Sequence, residues 1–148
     1  MKFRLALVFV FAFLMIISLA ACSAAKPSVS MEDVWGRPSP MFPTSGSIYM
    51  LIKNSGEAAD TLLSGSSPAC GSIEFHETVM KMDGSMGMNL IDKPLEIPAG
   101  GEVKLEPGGL HAMCIMKNEK FVPGNTIDLT LVFEKSGEQV VPVELRAE

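Results

Sequence analysis

The two histidines of the chain each lie beside a cluster of methionines, and this pattern carries the clearest chemistry in the sequence. The clusters are His76 with Met80, Met82, Met86 and Met88, and His111 with Met113 and Met116. Thioether sulfur suits Cu(I) and binds hard cations poorly, and imidazole also accepts copper. A thioether is also not consumed by disulfide formation as a thiolate is. The clusters therefore predict a Cu(I) site suited to an oxidising, extracytoplasmic compartment.

The spacing within the clusters is compatible with one shared site if these segments are strands. Side chains at i and i+2 of a strand point to the same face, so His111 and Met113 can both face one ion. The same rule pairs Met86 with Met88. We expect His76 to approach the ion from a neighbouring strand.

The alternative is that these methionines fill the core, because their flexible side chains suit irregular gaps. Polar residues alternate with the first cluster at Lys81, Asp83 and Ser85. This alternation favours an exposed rim, and the presence of both histidines within the clusters favours metal binding.

The elements that must position these residues are predicted to be strands, since no segment sustains a helical period and several alternate apolar and polar residues. The predicted strands are 29–35, 47–54, 59–65, 72–77, a hairpin over 79–91, 101–106, 111–116, 126–133 and 139–145. Short strands separated by Gly- and Pro-rich turns are typical of an antiparallel β-sandwich. The length of 148 residues allows one such domain.

The N-terminal segment 1–21 has the pattern of a signal peptide. Lys2 and Arg4 precede an unbroken apolar and small-residue run, as in exported proteins. The segment ends in Leu-Ala-Ala before Cys22, which resembles the lipobox of bacterial lipoproteins, where the cysteine receives a lipid. The alternative is an ordinary secretory signal cleaved near Ala21.

On the lipoprotein interpretation, two regions follow the export signal. Cys22 would be lipidated, residues 22–30 would form a linker, and residues 31–148 would form the folded domain. We expect an exported protein held by its lipid at the periplasmic or cell-surface side of a membrane.

Charge and cysteine content narrow the function further. Without Lys2 and Arg4, ten Lys and Arg remain against 17 Asp and Glu, a net charge of −7, so nucleic acid is an unfavourable partner. The two cysteines of the domain, Cys70 and Cys114, are candidates for a disulfide in an exported protein. Two separate buried thiols are the alternative.

Several segments together resemble the PCuAC-type periplasmic copper chaperones over residues 29–145. They are Val34-Trp35-Gly36-Arg37, Ser47-Ile48-Tyr49-Met50, Ile73-Glu74-Phe75-His76-Glu77, Ile97-Pro98-Ala99-Gly100-Gly101 and Gly108-Gly109-Leu110-His111-Ala112-Met113. The resemblance implies a cupredoxin-like Greek-key β-sandwich that binds Cu(I) at one rim. It also implies delivery of copper to the copper A centre in cytochrome c oxidase subunit II, alongside or through a Sco-type thiol protein.

The resemblance assigns ligand roles to individual residues. His76 matches the first ligand, and His111 and Met113 match the His-x-Met pair. The remaining methionine is Met88 or Met86, which leave eleven and nine residues after His76, on either side of the family spacing. Met88 keeps the family distance to the Pro-Ala-Gly-Gly turn and is preferred.

Two further functions compete with a copper chaperone, and an enzyme is the weakest candidate. A blue-copper electron carrier needs a Cys thiolate with two His and an axial Met, and Cys114 should face away from His111. A metal-free lipoprotein acting as a binding module would not depend on His111 or Met113. No nucleophile and base pair is evident. We expect a monomer.

Overall fold

The computed structural model describes residues 25–147, and all regular structure in this range is β-strand. The ten strands are β1 (Val29–Pro38), β2 (Ser45–Asn54), β3 (Asp60–Ser66), β4 (Ser72–Met80), β5 (Met86–Leu90), β6 (Leu95–Ile97), β7 (Glu102–Leu105), β8 (Leu110–Ile115), β9 (Thr126–Phe133) and β10 (Gly137–Leu145). Within this range no helix is long and apolar enough to cross a membrane. The all-β prediction is confirmed.

The predicted strands are present, most with ends that differ by one to three residues, and three differences are larger or bear on the site. The short strand β6 was not predicted, because its three residues are too few to show alternation. The predicted hairpin 79–91 resolves into the end of β4, a tight turn and β5. β1 begins at Val29, inside the predicted linker 22–30, and the carbonyl of Lys26 already accepts a hydrogen bond from the Glu57 amide.

The strands form one curled sheet in the order β5-β4-β8-β2-β1-β10-β9-β3-β6, with β7 paired to β2. The curl packs β3 against β4, although the two strands are far apart in this order. Gly65 of β3 lies so close to β4 that a Cβ added to it would be 3.0 Å from the Ile73 side chain. Two layers therefore face one another across a single core, as the sandwich prediction required.

One pairing departs from the predicted antiparallel arrangement. β1 and β10 are parallel, with Trp35 opposite Glu144 and Gly36 opposite Leu145. The pairing joins the first and last strands, so no local turn signal reports it. Through this pairing the sheet continues from β2 and β1 to β10 and β9.

The core is apolar and includes one face of β8. Its fully buried members include Ile48, Ile52, Leu129, Leu131 and Phe133, together with Ala112 and Cys114 of β8. A disulfide joins Cys114 to Cys70, with 5.4 Å between their Cα atoms. Because side chains alternate along a strand, the other face of β8 carries His111 and Met113.

Candidate metal centre

His76 and His111 lie directly opposite one another on β4 and β8. Their ring centroids are 6.1 Å apart and the rings are inclined by 30°. Directly opposed residues share a face of the sheet, so both imidazoles point out of the same face, away from the core. The alternation along β8 adds Met113 to that face, as predicted.

The ring of His111 is oriented by the turn before its own strand. Its Nδ1 lies 3.0 Å from the carbonyl oxygen of Gly109, and a carbonyl can only accept, so Nδ1 carries the proton and donates. The lone pair of the neutral ring is then on Nε2. His111 is buried, and this hydrogen bond fixes both its tautomer and its orientation, as outer hydrogen bonds do for metal-binding histidines.

The ring of His76 is held in the opposite sense. Its Nε2 lies 3.0 Å from a carboxylate oxygen of Glu74, which is on the same face two residues earlier in β4. The carboxylate accepts a hydrogen bond from Nε2–H, so the lone pair of neutral His76 is on Nδ1. This Nδ1 is buried and has no hydrogen-bond partner among residues 25–147. Buried polar atoms are rarely left unpaired, so an acceptor atom in this state is suited to a ligand.

A cavity of about 380 Å³ opens beside the ring of His76. It is lined by His76, Met88 and Met113, and by residues of β8 and of the segment that enters β2, namely Phe42, Thr44, Ser45 and Ile115. Met113 is 7% exposed, whereas Met88 is 45% exposed. The lining therefore combines one imidazole with two thioethers. His111 is not among the lining residues, although it is paired with His76 on the same face of the sheet.

The two candidate methionines of β5 occupy different places. Met88 lies opposite Thr78, two residues beyond His76, while Met86 lies opposite Met80 further along the hairpin. Met86 is not among the lining residues of this cavity. Met116, which belongs to the second sequence cluster, lies beyond the end of β8 with a φ of 50°, and its side chain packs near Gly71.

Aromatic residues extend the row of rings across the sheet, and sequence reasoning did not assign them to the site. The ring of Tyr49 on β2 is 6.3 Å from that of His111, and Trp35 on β1 is 4.6 Å from Tyr49. The guanidinium of Arg146 lies 5.5 Å from the Trp35 ring centre. Trp35 and Tyr49 lie in segments that carry the family resemblance, but their place beside His111 depends on the pairing of β2 with β8, which is not local.

Carboxylate and thiolate side chains do not form a comparable cluster within the described residues. Within residues 25–147, no three His, Cys, Asp or Glu side chains come close enough to hold a metal ion. Cys114 is in a disulfide on the core face of β8, so it cannot supply the thiolate of a blue-copper centre. What the face offers is two imidazole nitrogens and two thioethers, a donor set that suits Cu(I). Cys22, the predicted lipidation site, lies outside the described residues.

Several solved structures that resemble this chain are described as PCuAC domains. The copper-bound PCuAC domain of PmoF2 is 27% identical, with a TM-score of 0.67, over 81% of this chain and 93% of that domain. The apo PCuAC domain of PmoF1 is 25% identical, with a TM-score of 0.67, over 81% of this chain and 94% of that domain. The solution structure of Cu(I)-DR1885 from Deinococcus radiodurans, at 22% identity and a TM-score of 0.63 over 89% of this chain and 87% of that one, shares the fold. The predicted PCuAC-type, cupredoxin-like class is confirmed.

Within that class, the chain belongs to the LpqE-like lipoprotein family, whose match spans residues 29–145. A lipoprotein of Leifsonia xyli subsp. xyli, Lxx21020, is 32% identical over 95 residues, which are 64% of this chain. The chain spans 57% of the length of that relative.

Proposed function

We propose that this protein is an extracytoplasmic Cu(I) chaperone that holds copper between His76, Met88, His111 and Met113. The copper-bound PmoF2 domain and Cu(I)-DR1885, which share its fold, support copper as the cargo. The lipoprotein family supports an exported, lipid-anchored protein. We propose Cys22 as the anchor, residues 1–21 as the removed signal, residues 22–30 as the linker and residues 31–148 as the folded domain.

The observation that carries the proposal is the buried, unpaired Nδ1 of His76 beside a cavity with two thioethers. Glu74 fixes the ring so that this lone pair is free, and Gly109 does the same for Nε2 of His111. Copper would therefore bind Nδ1 of His76 and Nε2 of His111. The donors are already oriented by the sheet, so binding costs little reorganisation.

The exposure of the four ligands supports transfer rather than permanent storage. All four are neutral, so none compensates the charge of the ion, and a thiolate from a partner would compete well. Met88 is the exposed ligand, and Met113 and His111 are buried. We infer that a partner displaces Met88 first, then His76, and the buried pair last.

The acceptor is a protein with thiolate ligands that can reach the exposed side of the cavity. We propose the copper A centre of cytochrome c oxidase subunit II or a Sco-type protein in this role. Phe42, which lines the cavity and is exposed, gives such a partner an apolar contact beside Met88. Delivery along a membrane is consistent with the lipid anchor.

Competition for Cu(I) between the chain and a chromophoric chelator tests the proposal. We expect the full chain in mild detergent to take up copper tightly, and His76→Ala to weaken this affinity by at least about tenfold, or about 1.4 kcal/mol. Met41→Leu is the matched control, because Met41 is exposed and does not line the cavity. Loaded protein mixed with a copper-free Sco-type or copper A domain should transfer its ion. A His76→Ala affinity equal to that of Met41→Leu would refute the site.

A further inference from the structure

Three methionines of the β4–β5 hairpin stand outside the cavity and are largely exposed to solvent. Met80 is 75% exposed, Met86 is 59% exposed, and Met82 in the turn is fully exposed. Grouped exposed apolar side chains mark a binding surface more often than chance. The site described above uses none of the three.

Met80 and Met86 are held close together by the register of the hairpin. They lie directly opposite one another, and the Lys81 amide next to them donates to the Ser85 carbonyl at 2.8 Å. Hydrogen-bonded and non-hydrogen-bonded pairs alternate along antiparallel strands, so Met80 and Met86 form a non-hydrogen-bonded pair. In such pairs the Cα atoms are only about 4.5 Å apart and the side chains are closest.

Met82 lies at the first corner of the turn that joins the two strands. The Gly84 amide donates to the Lys81 carbonyl at 2.9 Å, and Gly84 has a φ of 81°, as in three-residue hairpin loops that close on a left-handed glycine. Met82 is thus two residues from Met80, and its long, unbranched side chain is free to bring its sulfur to the Met80–Met86 pair.

Both charged neighbours of Met82 are engaged elsewhere. The Asp83 carboxylate accepts hydrogen bonds from the amide and the hydroxyl of Ser85. The aliphatic stem of Lys81 lies over Gly87, where a Cβ would be 2.5 Å from it. Lys81 therefore covers the opposite face of the hairpin from Met80 and Met86, since neighbouring residues on a strand face opposite sides. Its ammonium does not compete for the space between the thioethers.

We propose that Met80, Met82 and Met86 form a second Cu(I) site made only of thioethers. Three neutral sulfur donors suit Cu(I) and reject magnesium and calcium. The site is weaker than the first, because its side chains are exposed and must be ordered on binding. It needs neither histidine, so it does not depend on the first site.

The second site also lies on the route to the first. Met86 and Met88 point to the same face of β5, two residues or about 7 Å apart along the strand. An ion held at the tip of the hairpin could therefore pass from Met86 directly to Met88, the exposed ligand of the cavity. This arrangement is that of a capture site that loads the proposed chaperone site.

The test replaces the three sulfurs while keeping the apolar surface. In the full chain, Met80→Leu, Met82→Leu and Met86→Leu are combined, and bound Cu(I) is counted under competition with a chelator. We expect two ions per wild-type chain, the second bound more weakly, and one per triple variant with the first affinity unchanged. Met41→Leu is the control and should keep two.

Separate outcomes distinguish this inference from the proposed function. A chain with His76→Ala and His111→Ala should retain one weakly held ion, and its copper X-ray absorption should show sulfur donors alone. Loss of both ions in that chain, saturation of the wild type at one ion, or two ions in the triple leucine variant would overturn the second site. The leucine variants are at exposed positions, so their folding is preserved.

Discussion

His76 and His111 lie on the same face of the sheet and are hydrogen-bonded through opposite ring nitrogens. The Nε2–H of His76 donates a hydrogen bond to the Glu74 carboxylate, and the Nδ1–H of His111 donates one to the Gly109 carbonyl. The two rings, on directly paired strands with centroids 6.1 Å apart, therefore carry different neutral tautomers. Each tautomer leaves one lone pair for the proposed ion.

Glu74→Gln should weaken Cu(I) binding without removing it. Glutamine does not provide the charged acceptor that locks the His76 ring, and loss of such outer partners typically lowers metal affinity by about 10- to 100-fold. Chelator competition measures the affinity. Nitrogen chemical shifts of the ring report the tautomer and should show the Nε2–H form in wild type.

Glu77→Gln is the matched control for that variant. Glu77 is the neighbour of His76 on β4 and faces the other side of the strand, so its removal should leave both affinity and ring shifts unchanged. Equal effects of the two substitutions would mean that bulk charge, not the contact with His76, sets the affinity.

Met88→Leu and Met86→Leu should separate the two candidate ligands. Met88 lines the cavity and Met86 does not, while leucine keeps the apolar volume of both. We expect Met88→Leu to lower the first Cu(I) affinity by at least about tenfold and Met86→Leu to leave it within about twofold. A larger loss for Met86→Leu would assign the ligand to Met86.

Removal of the Cys70–Cys114 disulfide should destabilise the fold but spare the metal site. The bond spans 44 positions of sequence, and a loop of this length contributes about 4 kcal/mol through the entropy of the unfolded chain. Cys114 points into the core, away from Met113. The free energy of unfolding in urea should fall in a Cys70→Ala, Cys114→Ala chain that still binds copper at low temperature. Loss of copper from folded protein would show that the disulfide shapes the site.

Asp60 should make stability depend on acidic pH. Burial opposes its ionisation, but hydrogen bonds from Ser136, Lys135 and Thr61 outweigh burial and hold the Asp60 pKa below its ordinary value. A carboxylate with a lowered folded pKa stabilises the protein above its unfolded pKa of about 3.9, and this contribution is lost as pH falls through the folded value.

Urea unfolding between about pH 6 and pH 2 checks this dependence. Asp60→Asn should reduce the slope of the unfolding free energy in the acidic part of the range. Asp128→Asn, at an exposed strand position, is the control and should keep the wild-type slope. An unchanged slope in Asp60→Asn would show that other carboxyl groups govern acid stability.

The sequence predicts the parts of the site that depend on local alternation. The shared face of His111 and Met113, and the opposite orientation of Cys114, follow from the period of a strand. The preference for Met88 over Met86 rested on resemblance, because both point to one face of β5. Only Met88 lines the cavity, because it is paired with Thr78, two residues from His76, whereas Met86 is paired with Met80 near the turn. The turn sets this register.

Contacts between distant segments could not be predicted in this way. The His76–His111 register, the Tyr49 ring beside His111 and the parallel pairing of β1 with β10 all join segments whose alignment depends on the complete sheet. The spacing of Cys70 and Cys114 likewise did not distinguish a disulfide from two free thiols, because it does not fix the distance between their Cα atoms. Glu74 carried no sequence signal beyond its position two residues before His76.

Copper X-ray absorption of the full chain loaded with one equivalent of Cu(I) tests the central claim most directly. Copper held by His76, Met88, His111 and Met113 should show a first coordination shell of two nitrogen and two sulfur donors. The shell should contain fewer nitrogens in His76→Ala and fewer sulfurs in Met88→Leu. A shell of oxygen donors, a sulfur-only shell at the first equivalent, or the same shell in wild type and both variants would contradict it.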